Sequence, residues 1–252
     1  MKQVTLDLAG APTASFEHFY AGPNAKMLEI LQDAVARLVR LGGANALAPA
    51  SSPPLLESVV LCGDRGSGKT HLLKACAHLA QSHGIAVKHW QVQSSLSSRD
   101  PSALSTELEF NASWRLMVID DVHLMSEQDQ ATAFNWFVNA SHPGDHTTRM
   151  VLMSSDQDVG SLAIREDLRT RMAQGLCLEL KTLDEQACRT VLIEQARLRG
   201  LVLKADVLDF MMTRFSRDLS NLVGWLEQLD AFSLQTQRAI TIPLIKDMLN
   251  EL

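Results

Sequence analysis

Gly63-Asp64-Arg65-Gly66-Ser67-Gly68-Lys69-Thr70 fits G-x-x-x-x-G-K-[ST] at every fixed position. Each residue type has a physical task. Gly63, Gly66 and Gly68 let the backbone adopt conformations that a Cβ would forbid, so successive N–H groups can point inward at an anion. Lys69 can reach the β- and γ-phosphates, and the Thr70 hydroxyl is placed for Mg²⁺. A second group of the same chemistry follows at Leu116-Met117-Val118-Ile119, which runs straight into Asp120-Asp121. An apolar run ending in acids, in a chain with a phosphate loop, predicts a buried strand that delivers Asp120 to the Mg²⁺ shell, with Asp121 beside it to polarise water. Arg165, Arg169 and Arg171 form a third group. Near a subunit boundary such a side chain can reach a neighbour's γ-phosphate, while on the residues alone a solvated basic face on a short helix is the favoured reading.

These groups need strands and helices to hold them. Val59 to Cys62 reads as a buried strand before the loop, and helix-forming residues follow it to about His83. Strands are expected near Ala86 to Gln91, Leu116 to Ile119, Met150 to Met153 and Leu176 to Leu180. Helices are expected at Ala25 to Leu41, Ala103 to Phe110 and Gln128 to Ala140. Alternating units of this kind imply an α/β fold, a parallel sheet between helices with ligand at the carboxyl ends of its strands. At Thr182 the pattern changes. Thr182-Leu183-Asp184-Glu185 reads as a capping box for a helix that stops at Arg199-Gly200. Helices near Ala205 to Phe215, Asp218 to Thr236 and from Pro243 complete a small all-α lid. The predicted organisation is a tail over 1–15, a nucleotide-binding αβα domain over 16–181 and a helical lid over 182–252, with no residues left for a further domain.

Composition narrows the function classes. The 252 residues are 46% hydrophobic, enough for a substantial core, and the net charge of -6 with no Lys/Arg cluster argues against direct gripping of nucleic acid. Cys62, Cys76, Cys177 and Cys188 show no C-x-x-C spacing and read as reduced structural thiols. His142 and His146 are separated by Pro143-Gly144, which breaks any helix that would aim both at one metal, so no metal site is expected there. No stretch approaches the roughly eighteen apolar residues of a membrane span, and the N-terminus lacks a signal peptide's apolar core. A cytoplasmic, soluble protein is expected. In the tail, Val4, Leu6 and Leu8 fall at period two, so Gln3 to Leu8 could add as a strand or lie extended in a groove, though position alone favours an ordinary disordered terminus.

Taken together, the loop, the Asp120-Asp121 strand, the polar tip Ser154 to Asp156, the arginine segment and the lid resemble an AAA+ ATPase domain of the DnaA family. Phe16-x-x-Phe19-x-x-Gly22-x-Asn24 resembles that family's nucleotide-binding segment, and Gly68-Lys69-Thr70-His71-Leu72-Leu73 resembles its phosphate loop. Gln3-Val4-Thr5-Leu6-Asp7-Leu8, Ala196-Arg197-Leu198-Arg199-Gly200, Leu229-Asp230 and Ile240-Thr241-Ile242-Pro243 are similar to the Hda branch of the family, whose members inactivate the initiator. The resemblance implies several things. Phe19, Asn24, His71 and Asp156, the last at or near the first sensor, join the loop in holding ATP or ADP with Mg²⁺. Arg171 is the arginine finger, acting in trans on DnaA. Gln3, Leu6 and Leu8 bind the β sliding clamp of DNA polymerase III, so DNA is met only through clamp and DnaA. Ser220 stands where the family has its second sensor arginine, with Arg217 one turn earlier, which implies weak hydrolysis by the chain itself. A self-sufficient DnaA-like or helicase-loader-like ATPase, a clamp-dependent recruitment module and a homo-oligomer stay open.

Overall fold

The computed structural model describes residues 14–42, 56–92, 108–141, 147–215 and 218–251. They group into two compact units, one of Ala14–Asp64 with Lys69–Lys181, the other containing Arg65–Gly68 and Thr182–Leu252.

The first unit is built on five parallel strands, β1 (Leu56–Cys62), β2 (Val87–Gln91), β3 (Leu116–Asp120), β4 (Arg149–Ser155) and β5 (Leu176–Glu179), in the order β2-β3-β4-β1-β5. Parallel strands need crossovers, and α2 (Lys69–Ser82), α3 (Glu127–Ala140) and α4 (Glu166–Ala173) lie in them, while α1 (Ala25–Gly42) precedes β1. Period two sorts the strand residues between two cores. Val59, Leu61, Leu116, Val118, Met150 and Leu152 pack with α1 and α2, while Val60, Met117, Ile119, Val151 and Met153 pack with α3 and α4. Every residue of β3 and β4 is buried, which is why their stretches 116–119 and 150–153 read as continuous apolar runs. Arg37 on α1 ties to Glu57 on β1 with Nε 3.1 Å from Oε1.

The same alternation positions the chemistry. Ile119 pairs with Met153, so the next residues along, Asp120 and Ser154, share the face that carries Val118 and Leu152. That is the α2 face, and α2 begins at Lys69.

The second unit contains α5 (Glu185–Leu198), α6 (Ala205–Arg214), α7 (Leu219–Thr236) and α8 (Ile242–Glu251). Apolar faces close it around Val207, Met211, Leu226, Leu229, Leu244 and Ile245, with Leu192, Leu208 and Leu222 in an adjoining cluster. Arg199, 6% exposed at the end of α5, pairs with Glu227 of α7 at 2.9 Å.

Two expectations are corrected here. The cap of α5 is Asp184, whose carboxylate accepts the Ala187 N–H at 2.8 Å, and not Thr182; an aspartate N-cap bonds the N–H three residues on, at N3, which sets the helix start two residues later. Leu108 to Phe110 is a turn and irregular chain rather than helix; residues 103–107 lie outside the described residues. The stretch joins an aromatic cluster instead. Trp136 Nε1 donates to the Leu108 carbonyl at 2.8 Å, and the Phe110 ring packs edge-on to Trp114.

Candidate functional site

The carboxyl ends of β1, β3 and β4 converge on the first turn of α2. In the loop after β1, Gly66 and Gly68 have φ of 81° and 101°, the left-handed region that turns N–H groups to one side. Thr70 is exposed on that first turn, as are Asp64 and Arg65 in the loop. Lys69 is 7% exposed, and its Nζ donates to the carbonyls of Gly63 (2.6 Å) and Asp64 (2.9 Å). Burial pushes the Lys69 pKa down, opposed by the charges of Asp121, Asp156, Asp120 and Asp64. The ammonium is thus partly desolvated and surrounded by carboxylates.

Ser154 joins the last residue of β3, Asp120, to Asp121 after it. Its Oγ accepts the Asp121 N–H at 2.9 Å and donates to Asp120 Oδ1. Asp120 is fully buried, and its second oxygen, Oδ2, has no hydrogen-bond partner, nor has the buried Ser67 Oγ in the loop. A buried, unpartnered carboxylate oxygen beside a phosphate loop fits a hard cation. No group of three or more His, Cys, Asp or Glu that could hold a metal ion is found among the described residues.

Asp121 sits at φ 63°, ψ 49°, an uncommon conformation for a residue with a Cβ. Gln91, at the end of β2, donates from Nε2 to Asp121 Oδ2 at 2.8 Å. Burial, then the neighbouring Asp120, hold the Asp121 carboxyl above the usual carboxylate range, while His123, Gln91 and Lys69 pull it back. Asp156 follows β4, with His123 against it.

Residues of the segment ahead of α1 lie along α2. His71 Nε2 is 2.9 Å from the Ser15 carbonyl, and its ring is 5.9 Å from that of Phe19. Burial lowers the His71 pKa, so the ring is held neutral. Asn24, 2% exposed, accepts the Lys181 N–H at 2.8 Å and donates to the Lys181 carbonyl at 2.9 Å. Both ends of its amide are thereby committed to backbone.

The three arginines differ sharply. Arg165 forks onto Asp167, with Nε to Oδ1 at 3.2 Å and Nη2 to Oδ2 at 2.6 Å, and lies 5.5 Å over the Phe134 ring. Arg169 donates to the Leu162 carbonyl at 3.3 Å. Arg171 makes no hydrogen bond or ion pair among the described residues, and it lines an open depression with Phe134, Glu166, Asp167 and Thr170. Gln3, Leu6 and Leu8, the His142 and His146 pair, and Arg217 lie outside the described residues. Ser220 is exposed in the first turn of α7, its N–H bonded to Asp218 Oδ1 at 2.9 Å.

The sequence reading missed Gln91 and His123. Gln91 carries a signal, a polar residue closing β2 in register with Asp120. All four cysteines are free thiols, and burial pushes Cys62 up to about 11.

Residues 12–179 match the family model described as the bacterial DnaA ATPase domain, and residues 171–249 the one described as the lid domain of Hda. An uncharacterised protein of Haemophilus influenzae is 29% identical, over 99% of both chains. The chromosomal replication initiator protein DnaA of Thermomicrobium roseum is also 29% identical, over 95% of this chain and 50% of its own length. Of solved structures, domain III of Thermotoga maritima DnaA superposes with a TM-score of 0.64 at 19% identity, covering 95% of this chain and 97% of that one. AMPPCP-bound DnaA from Aquifex aeolicus gives 0.60 at 20% identity, over 88% and 66%. No helix among the described residues is long and apolar enough to cross a membrane.

Proposed function

The chain belongs to the bacterial DnaA ATPase-domain family, and from that membership we propose that it regulates initiation of chromosome replication by making DnaA hydrolyse its own ATP. In this reading the loop Gly63 to Thr70 binds adenine nucleotide, a reading favoured by the fold shared with AMPPCP-bound DnaA. Lys69 leaves the Gly63 and Asp64 carbonyls for the phosphates, and Phe19 and His71 form the wall of the base site. Thr70 and Asp120 would hold Mg²⁺, which would supply positive charge against the phosphates. Asp121, fixed by Gln91, orients water.

Arg171 is supplied to the ATP of a docked DnaA, where it stabilises the charge that develops on the γ-phosphoryl as water attacks. The observation that carries this reading is the contrast among the arginines: Arg165 and Arg169 are engaged by other described residues, and Arg171 makes no hydrogen bond or ion pair among the described residues. Gln3, Leu6 and Leu8 attach the protein to the sliding clamp of DNA polymerase III, so that inactivation follows replication. The Hda-type lid match accords with this assignment.

The test is ATP hydrolysis by purified DnaA, with and without this protein and DNA-loaded clamp, each component also assayed alone. Stimulation that needs all components is expected. Arg171→Ala should lower the stimulated rate by about 10³-fold, the scale of an arginine finger supplied in trans, while leaving nucleotide affinity unchanged. A wild-type rate from Arg171→Ala sinks the finger assignment. The complete Lys69, Asp120 and Asp121 constellation favours a second reading, an ATPase acting by itself, which turnover indifferent to DnaA and abolished by Lys69→Ala would establish.

A further inference from the structure

The first turns of α3 carry a buried amide that phosphate-loop chemistry does not call for. Gln130 is 6% exposed, and both ends of its side chain are committed to backbone. Oε1 accepts the Arg165 N–H at 2.9 Å, and Nε2 donates to the Met125 carbonyl at 3.2 Å. The partners fix which way the amide points, because an N–H needs an acceptor and a carbonyl needs a donor. One turn further along α3, the Phe134 ring lies 5.5 Å from the Arg165 guanidinium. Neighbouring positions on one face of α3 thus hold the backbone and the side chain of a single residue.

That residue is where α4 begins. Arg165 is the N-cap of α4, and its own side chain makes no cap bond. Of the eight residues of α4, only Leu168 and Met172, one turn apart, are buried. Their apolar contacts hold the helix against the core, but such contacts are non-directional and set its roll and slide only weakly. A hydrogen bond to the N-cap N–H is directional and constrains both. Arg171 lies in the last turn of the same helix, so a small roll at Arg165 becomes a larger displacement at the end of the long Arg171 side chain. We infer that Gln130 is a positioning residue for Arg171: by tying the start of α4 to the Met125 backbone, it aims the guanidinium that acts on the docked partner. The inference rests on the reading of Arg171 as the residue supplied to the ATP of DnaA. Because Gln130 is buried, its side chain is out of reach of a docked protein, and its effect on the partner's rate passes through α4.

The experiment is ATP hydrolysis by DnaA with DNA-loaded clamp, titrated with the full-length chain to give a saturated rate and a half-saturating concentration, at a temperature where thermal melts show each variant folded. Gln130→Met has a similar length, no N–H and only a weak acceptor. It should lower the saturated rate by between about tenfold and 10²-fold, the cost of a misplacement of about 1 Å, and move the half-saturating concentration by less than about twofold. Gln130→Glu, protonated by burial, keeps both an acceptor and a donor and should recover most of the lost rate. Gln130→Asn keeps the amide but is too short to reach Arg165, and is read in the same way if Gln130→Met does not fold. An unchanged saturated rate, a change confined to the half-saturating concentration, or a Gln130→Glu protein no better than Gln130→Met overturns the inference and leaves the role of Arg171 standing. Absence of stimulation by the wild-type chain, or full stimulation by Arg171→Ala, refutes the reading of Arg171 and the inference with it.

Discussion

Asp121 works against the stability of the fold. Burial and the adjacent Asp120 hold its carboxyl above the usual range, so the folded chain takes up this proton at higher pH than the unfolded chain does. Its contribution favours folding at low pH and is lost as pH rises through the raised value. Above that value the ionised group opposes folding. Asp121→Asn should therefore raise Tm at pH 7, and the gain should vanish as pH falls towards about 4, where the unfolded carboxyl also protonates; a pH series of thermal melts reads this directly. Ser154→Ala should do the opposite. It leaves the Asp121 N–H and Asp120 Oδ1 without their shared partner, a loss of about 1–3 kcal/mol at neutral pH, visible as a lower denaturant midpoint. Opposite signs at two contacting residues are what a site held together under electrostatic load should give.

At the scale of elements, the placement of Arg171 depends on how α4 returns to the sheet. A Cβ on Gly175, between α4 and β5, would stand 2.0 Å from the Ser58 carbonyl oxygen on β1. Backbone cannot yield as a flexible side chain can, so Gly175→Ala should cost about 1–3 kcal/mol and shift α4. Stimulated hydrolysis should fall with it, while nucleotide affinity at the far end of β1 holds. Such elements were legible where chemistry and periodicity coincide. The run into Asp120 placed β3, and Gly200, at φ 73°, ends α5 as the Arg199-Gly200 pair predicts. Contacts made across the fold were not legible. Gln91 meets Asp121, and Asn24 meets Lys181, only after β2, β3 and β5 are assembled. The same holds for the stretch from Leu108, which meets a cluster of Trp90, Trp114 and Trp136. Aromatic residues spaced for one surface resemble those spaced for another until the partner helix is known.

For the molecule as a whole, the tryptophans give each unit its own reporter. Trp90, Trp114 and Trp136 cluster in the sheet-containing unit, whereas Trp225 stacks on Phe215 at 4.5 Å in the helical one. Trp225→Phe should leave a protein whose fluorescence follows the first unit alone. Saturation with nucleotide at about 100 times Kd should then stabilise that signal by about 2.7 kcal/mol, and an unmoved midpoint would count against nucleotide binding there. The strand order has a further consequence, in time rather than in energy. β1 carries the phosphate loop at its end, yet its neighbours β4 and β5 are residues 149–155 and 176–179. At synthesis rates of about 5–20 residues per second, β1 waits several seconds to roughly 20 s after translation before either neighbour exists. During that interval its apolar run is a free strand on a growing chain, open to chaperones or to another nascent copy. An insertion between 62 and 149 would lengthen the exposure without touching the finished protein, so yield in the cell and stability in the tube can diverge.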